Sequence, residues 1–228
     1  AKEKLGIVDD CLITSIQDSL RPMVEEYTRM RNSKLVFTNR IDELVNTMST
    51  TTFKYKDESF ELSMLGEHQA MNASLAIEAI HYLRENKGLI ITDDQIKTGL
   101  KNAFWPGRLE KIGNRVYVDG AHNREGVESL VRFLSKFEDR KQIIFSCLAD
   151  KPSNEMVSLL DEVADEIIFT QFDYPRCESA EVLYNISTHP NKRIVKDYKE
   201  TLSMADKSML TVYCGSLYFI SLIRQNNF

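Results

Sequence analysis

Apolar residues recur along this chain in two rhythms, and the change falls near residue 104. Before it, residues 11–16 and 34–38 are short runs rich in β-branched and apolar side chains, and they read as strands. Between them Leu20, Met23, Val24, Tyr27 and Met30 fall at helical spacing, with Pro22 near the first turn. Residues 51–62 alternate about Asp57-Glu58, which predicts a two-stranded antiparallel ribbon. Residues 68–83 place Ala73, Ala76, Ile77, Ile80 and Leu83 on one stripe of a helix. Thr92 is positioned to cap a further helix with Asp93 and Asp94 in its first turn.

From residue 107 strands and helices alternate regularly. Strands are expected at 116–118, 142–147, 166–170, 193–195 and 209–214. Between them Val127, Leu130, Val131, Leu134 and Phe137 share a helix face, and Met156, Val157, Leu160, Val163 and Ala164 repeat the pattern. This alternation implies right-handed crossovers and a mostly parallel sheet covered on both faces. Trp105-Pro106-Gly107 would break an incoming helix, so two domains are expected, 1–104 and 105–228.

Composition narrows the class of protein. The chain has 228 residues, 43% hydrophobic and 28% charged, which suits a globular protein with ample core. A net charge of −5 without a Lys/Arg cluster argues against a nucleic-acid partner. No apolar run reaches membrane length, so no membrane partner is expected. Cys11, Cys147, Cys177 and Cys214 are scattered without CxxC spacing and read as reduced thiols, an arrangement expected of a cytoplasmic protein.

Two Gly-containing turns concentrate the candidate chemistry. Phe104-Trp105-Pro106-Gly107-Arg108-Leu109-Glu110 is followed, after a short strand pair, by Val118-Asp119-Gly120-Ala121-His122-Asn123. Alone, the first is equally a turn carrying a surface arginine, yet a guanidinium fork also suits phosphate. The second packs three polar side chains into a strand-to-helix junction, the place where open α/β sheets bind ligands. Asn123 can cap the following helix and still touch a ligand.

These segments resemble the C-terminal domain of the folylpolyglutamate synthase and dihydrofolate synthase family, relatives of the Mur peptidoglycan ligases. Other segments agree in order along the chain. Residues 65–73, LGEHQAMNA, resemble the family's LGxHQxxNA; residues 148–151, LADK, its DKD-type strand end; residues 214–218, CGSLY, its GSLY element; and residues 3–7, EKLGI, its EKAGI segment. The resemblance implies the tail of a central P-loop ATPase-type α/β domain, followed by a Rossmann-like Mur ligase C-terminal domain with a mostly parallel sheet.

It also implies roles. Asn72 would hydrogen-bond adenine, Arg108 the ATP phosphates and Asp119 the ribose hydroxyls. His122 would sit where an acyl phosphate meets glutamate, while His68 would orient its helix start. Asp150, Ser216 and Tyr218 would lie on the glutamate side, the latter two near the C-terminal sheet edge. Lys4, once carbamoylated, would help hold a divalent metal. The implied reaction uses ATP and Mg²⁺ to activate the carboxylate of folate or dihydropteroate and then joins L-glutamate to it, in a monomer. Departures are Leu5 for the family's alanine and Arg124 for its usual proline. No GxxxxGK[ST] or GTNGKGS loop occurs in these 228 residues, so they are expected to be the latter half of a ligase, inactive alone. Rival readings are a Mur-type ligase acting on a UDP-sugar peptide and a non-catalytic ligase-derived nucleotide-binding module.

Overall fold

The computed structural model describes residues 10–15, 18–205 and 208–226. The chain divides into two compact units at Phe104/Trp105. In the first, β1 (Cys11–Thr14) and β2 (Lys34–Phe37) pair in parallel across α1 (Arg21–Met30), with Pro22 in its first turn. Strands β3 (Asp42–Asn46), β4 (Thr51–Tyr55) and β5 (Glu58–Leu62) form an antiparallel sheet in that order. Two helices follow, α2 (Glu67–Lys87) and α3 (Asp93–Asn102).

The alternation of β4 and β5 explains this sheet. Phe53, Tyr55, Phe60 and Leu62 lie inward, against Ala70, Ala73 and Ile77 of α2 and Ile96 of α3. Phe53 and Phe60 face each other across the ladder, with ring centroids 5.5 Å apart. The intervening Lys56 and Asp57 both have left-handed φ, +50° and +64°, as a tight hairpin requires. Tyr55 donates a 2.5 Å hydrogen bond to Glu78 on α2, and Lys56 Nζ lies 2.6 Å from the same carboxylate. Burial works to raise the Glu78 pKa, but the Lys56 and Tyr55 hydrogen bonds outweigh it and lower the net value. Thr92 caps α3 in a reciprocal capping box with Gln95.

The second unit is a six-stranded sheet in the order β10-β9-β8-β11-β7-β6. Its strands are β6 (Glu110–Gly113), β7 (Val116–Asp119), β8 (Lys141–Phe145), β9 (Glu166–Gln171), β10 (Lys192–Asp197) and β11 (Leu210–Cys214). Five run parallel, and β6 is an antiparallel edge joined to β7. The helices are α4 (Arg124–Leu134), α5 (Ser153–Asp161), α6 (Ala180–Ile186), α7 (Tyr198–Thr201) and α8 (Leu217–Arg224). One sheet face, with Val116, Val118, Ile144, Ile168, Val195 and Tyr213, packs on Phe219, Ile220 and Ile223 of α8. Alternate residues point to the other face, where Phe169 meets Tyr184 of α6 edge-on. α5 packs beside both α4 and α6, so the helix after β11 lies opposite the helices after β7 and β8, which makes the carboxyl ends of these three strands a topological switch point.

Several expectations shift by a few residues. The first strand is Cys11–Thr14, whereas Ile16 lies outside the described residues. The helix expected at 68–83 runs Glu67–Lys87, closed by Gly88 in left-handed conformation. Phe137, Val163 and Ala164 lie past the ends of α4 and α5, so the apolar stripe continues into turns. Strand β3 went unread because Asp42, Glu43 and Asn46 break its apolar pattern at a half-exposed edge. Cys147 and Cys214 are fully buried free thiols. Burial pushes Cys147 up to about 12 and Cys214 well above its ordinary value.

Candidate active site

The site grows from the carboxyl end of β7. Asp119, its last residue, turns its carboxylate back onto two backbone donors. Oδ2 accepts Leu109 N–H and Oδ1 accepts Ala121 N–H, each at 2.8 Å. Burial pushes its pKa up to about 6, against the two N–H donors and the charges of Arg108 and His122, which pull it down. Arg108 therefore lies within electrostatic reach of this carboxylate. Among the described residues, its guanidinium makes no ion pair or hydrogen bond.

The turn that carries Arg108 is tightly specified. Gly107 has φ +71° and Leu109, a buried side chain, has φ +42°. Left-handed backbone is natural for the glycine and strained for leucine. Gly107 O accepts Gly120 N–H at 2.7 Å, so the two glycine turns are bonded to each other. A Cβ at Gly107 would collide with Ile220, and one at Gly120 with Leu217. α8 lies directly against both glycines, and Gly107 is required besides by its left-handed φ.

Beyond Gly120, His122 Nδ1 lies 2.7 Å from Gly120 O. A carbonyl only accepts, so Nδ1 is the donor of this contact. Asn123 caps α4 by accepting Gly126 N–H at 2.9 Å.

β11 lies beside β7, with Cys214 opposite Asp119. Ser216 follows two residues on and is buried, so it sits at a strand end inside the sheet rather than on a lateral edge. Its hydroxyl caps α8, accepting Tyr218 N–H at 3.2 Å. The exposed Tyr218 ring stacks on Tyr174 with centroids 4.6 Å apart. The Arg176 guanidinium lies 5.7 Å from the Tyr174 ring centre and 3.4 Å from Asp150. Asp150 also meets Lys151 at 3.3 Å. Desolvation acts to raise the Asp150 pKa, but these two cations hold it below its ordinary value. Arg108, Asp119, His122 and Ser216 thus gather at adjacent strand ends, and Asp150 and Tyr218 meet through the Tyr174–Arg176 loop.

In the first unit Asn72 is exposed on α2, and its Nδ2 donates to Gln69 Oε1 at 3.2 Å. Gln69 Nε2 in turn lies 3.0 Å from His68 Nε2. Lys4 and its EKLGI segment lie outside the described residues. Among the described residues no three His, Cys, Asp or Glu side chains converge as metal ligands, and no helix is long and apolar enough to cross a membrane.

Sequence reasoning missed Glu110, Arg224 and Tyr174. Arg224 Nε lies 2.7 Å from Glu110 Oε2 across 114 positions of sequence, and the same carboxylate oxygen accepts Gly107 N–H at 2.7 Å. The glutamate follows the arginine turn by two residues, which was its one visible signal.

Residues 107–217 match the family model described as Mur ligase, glutamate ligase domain. A dihydrofolate synthase/folylpolyglutamate synthase of Bacillus subtilis is 37% identical over 185 residues, covering 76% of this chain and 43% of its own length. A folylpolyglutamate synthase structure from Thermotoga maritima superposes with a TM-score of 0.84 at 26% identity, covering 98% of this chain and 56% of its own. A bifunctional folylpolyglutamate synthase/dihydrofolate synthase from Yersinia pestis, complexed with AMPPNP and a Mn ion, shares the fold with a TM-score of 0.78 at 19% identity, covering 98% and 55%. The chain spans about half the length of the relatives it matches, or less. It belongs to the Mur ligase family, its second unit being the glutamate ligase domain, and it corresponds to the C-terminal part of the folylpolyglutamate and dihydrofolate synthases.

Proposed function

We propose that the chain is the C-terminal part of an ATP-dependent ligase that joins L-glutamate to folate or dihydropteroate through an acyl phosphate. The observation that supports this is the Arg108 guanidinium, left without a partner among the described residues on a tightly specified glycine turn beside Asp119 and His122. The nucleotide analogue and Mn ion bound by the Yersinia pestis relative support ATP with a divalent cation, which we take to be Mg²⁺. ATP would supply the phosphoryl group that turns the carboxylate into an acyl phosphate, with the cation neutralising charge on it.

Each residue then has a task. Arg108 binds phosphate oxygens with a fork that needs no reorganisation. Asp119 keeps a free lone pair on each carboxylate oxygen after its two backbone bonds, and these accept ribose hydroxyls. His122 Nε2 faces the incoming amine and takes its proton. Asn72 reads the adenine edge with donor and acceptor. On the glutamate side Asp150 and Tyr218 border the amino acid, and Ser216 fixes the start of α8. Lys4, carbamoylated, is the metal ligand of this reading. The enzyme works as a cytoplasmic monomer, and residues 1–228 alone do not turn over ATP.

The test is a substrate panel on a longer protein containing these residues, scored by phosphate release. Release that requires glutamate, divalent cation and either dihydropteroate or folate supports the proposal. Release only with a UDP-sugar peptide assigns the chain to the peptidoglycan branch instead. Nucleotide binding without release on any acceptor assigns it to the non-catalytic module. Phosphate release by residues 1–228 alone would refute the need for the remainder.

A further inference from the structure

The turn Gly107-Arg108-Leu109 holds a leucine at φ +42°, a conformation that persists only where its surroundings over-determine it. Two carboxylates supply that determination, one on each side of Arg108. Asp119 takes the N–H of Leu109. Glu110 Oε2 takes the N–H of Gly107 at 2.7 Å. Glu110 is in turn gripped by Arg224 from the last turn of α8, Nε to Oε2 at 2.7 Å and Nη2 to Oε1 at 3.1 Å. The Glu110 side chain is 12% exposed, so little solvent competes for it. Ile220, one turn earlier on α8, presses on Gly107.

We propose that Glu110, held by Arg224, is a positioning residue that aims Arg108 by fixing Gly107. This rests on the reading of Arg108 as a phosphate ligand. Glu110 touches no substrate. Without it the Gly107 N–H loses its acceptor, Leu109 relaxes out of its strained conformation, and the guanidinium samples directions away from the phosphates.

An amide at position 110 still offers an oxygen to Gly107 N–H, whereas a thioether of similar size does not. The ion pair to Arg224 is lost in both, so Glu110→Gln and Glu110→Met separate positioning from simple clamping. In the longer protein, AMPPNP affinity of Glu110→Gln is expected within about twofold of the parent, and that of Glu110→Met about tenfold weaker, the loss of one charge-assisted hydrogen bond's worth of ordering. The Arg108→Ala/Glu110→Met double variant is expected to bind no more weakly than Arg108→Ala, because Glu110 acts through Arg108. Additive losses, or equal affinities for Glu110→Gln and Glu110→Met, overturn the proposal. The Gly107 amide proton resonance, read on residues 1–228, is expected to stay downfield in Glu110→Gln and to move upfield in Glu110→Met; a resonance unmoved in both also overturns it. Should Arg108→Ala leave AMPPNP affinity unchanged, that result removes the phosphate role of Arg108, and the Gly107 resonance alone then decides whether Glu110 sets the turn.

Discussion

At Asp119 one carboxylate bonds two backbone N–H groups and still titrates late, because burial outweighs the donors. A carboxyl-carbon NMR titration should give a midpoint near 6 rather than the ordinary value of about 4. The sign follows from the raised native value. The native state favours the protonated acid, so this contribution is fully present below about pH 4 and is lost as pH rises through 6, by at most about 3 kcal/mol. Nucleotide binding runs the other way under the proposed role. The ionised form accepts ribose hydroxyls, so affinity should fall as pH drops below 6, and a flat profile would remove Asp119 from the site. Arg108→Ala in the longer protein should lose about 1.5–3 kcal/mol of nucleotide affinity by titration calorimetry. The sequence made both residues visible because Gly turns at strand ends are ligand positions. It could not show that both Asp119 oxygens already hold N–H groups, since Leu109 lies ten positions upstream and meets Asp119 only through the hairpin.

Helix α8 joins the two halves of the site. Its N-terminus is capped by Ser216, sets Leu217 against Gly120 and carries Tyr218, its middle sets Ile220 against Gly107, and its last turn grips Glu110. The chain enters this helix through Gly215 at φ +111°, where a Cβ would collide with the backbone carbonyl of Ser146 and the ring of Phe145. Gly215→Ala should therefore cost about 3 kcal/mol or more, by strain and overpacking together, measurable as a lowered denaturation midpoint. A loss under about 0.5 kcal/mol would show that the β11–α8 junction yields easily. At this scale the hydrophobic rhythm was a good guide where strands are buried on both faces, as in β8 and β9, whose segments Ile143–Phe145 and Ile167–Phe169 are unbroken apolar runs. It was a poor one at edges. β3 is half polar, and the pairing of β6 with β7 is irregular between Lys111 and Gly113, so neither shows a clean period.

Across the whole molecule each unit has its own core, one under the β4–β5 ribbon and one on the parallel sheet. Residues 105–228 expressed alone should give a dispersed amide spectrum, and a collapsed one would show that this core is insufficient. Thiol labelling offers a second check. Cys147 and Cys214 should stay unmodified in the native protein and react once it is unfolded, because both are fully enclosed and burial disfavours their thiolates. The alternation of strand and helix made the sheet's class legible in the sequence. Strand order was not legible, because β11 seats itself between β7 and β8, which precede it by about 95 and about 70 positions. That seating has a consequence for biosynthesis. During translation β7 and β8 emerge early, yet they have no ladder between them until the last strand arrives. The nascent second unit is thus two open half-sheets, each with a raw edge, while the ribosome still holds residues 210–214. Arrested nascent chains ending near residue 208 should be cleaved readily by protease, and chains that expose α8 should resist it. In this protein the strand-end cluster of Arg108, Asp119, His122 and Ser216 and the fold of the second unit are completed in the same late step, so a chaperone that shields parallel-strand edges would act before any ligand of that cluster could.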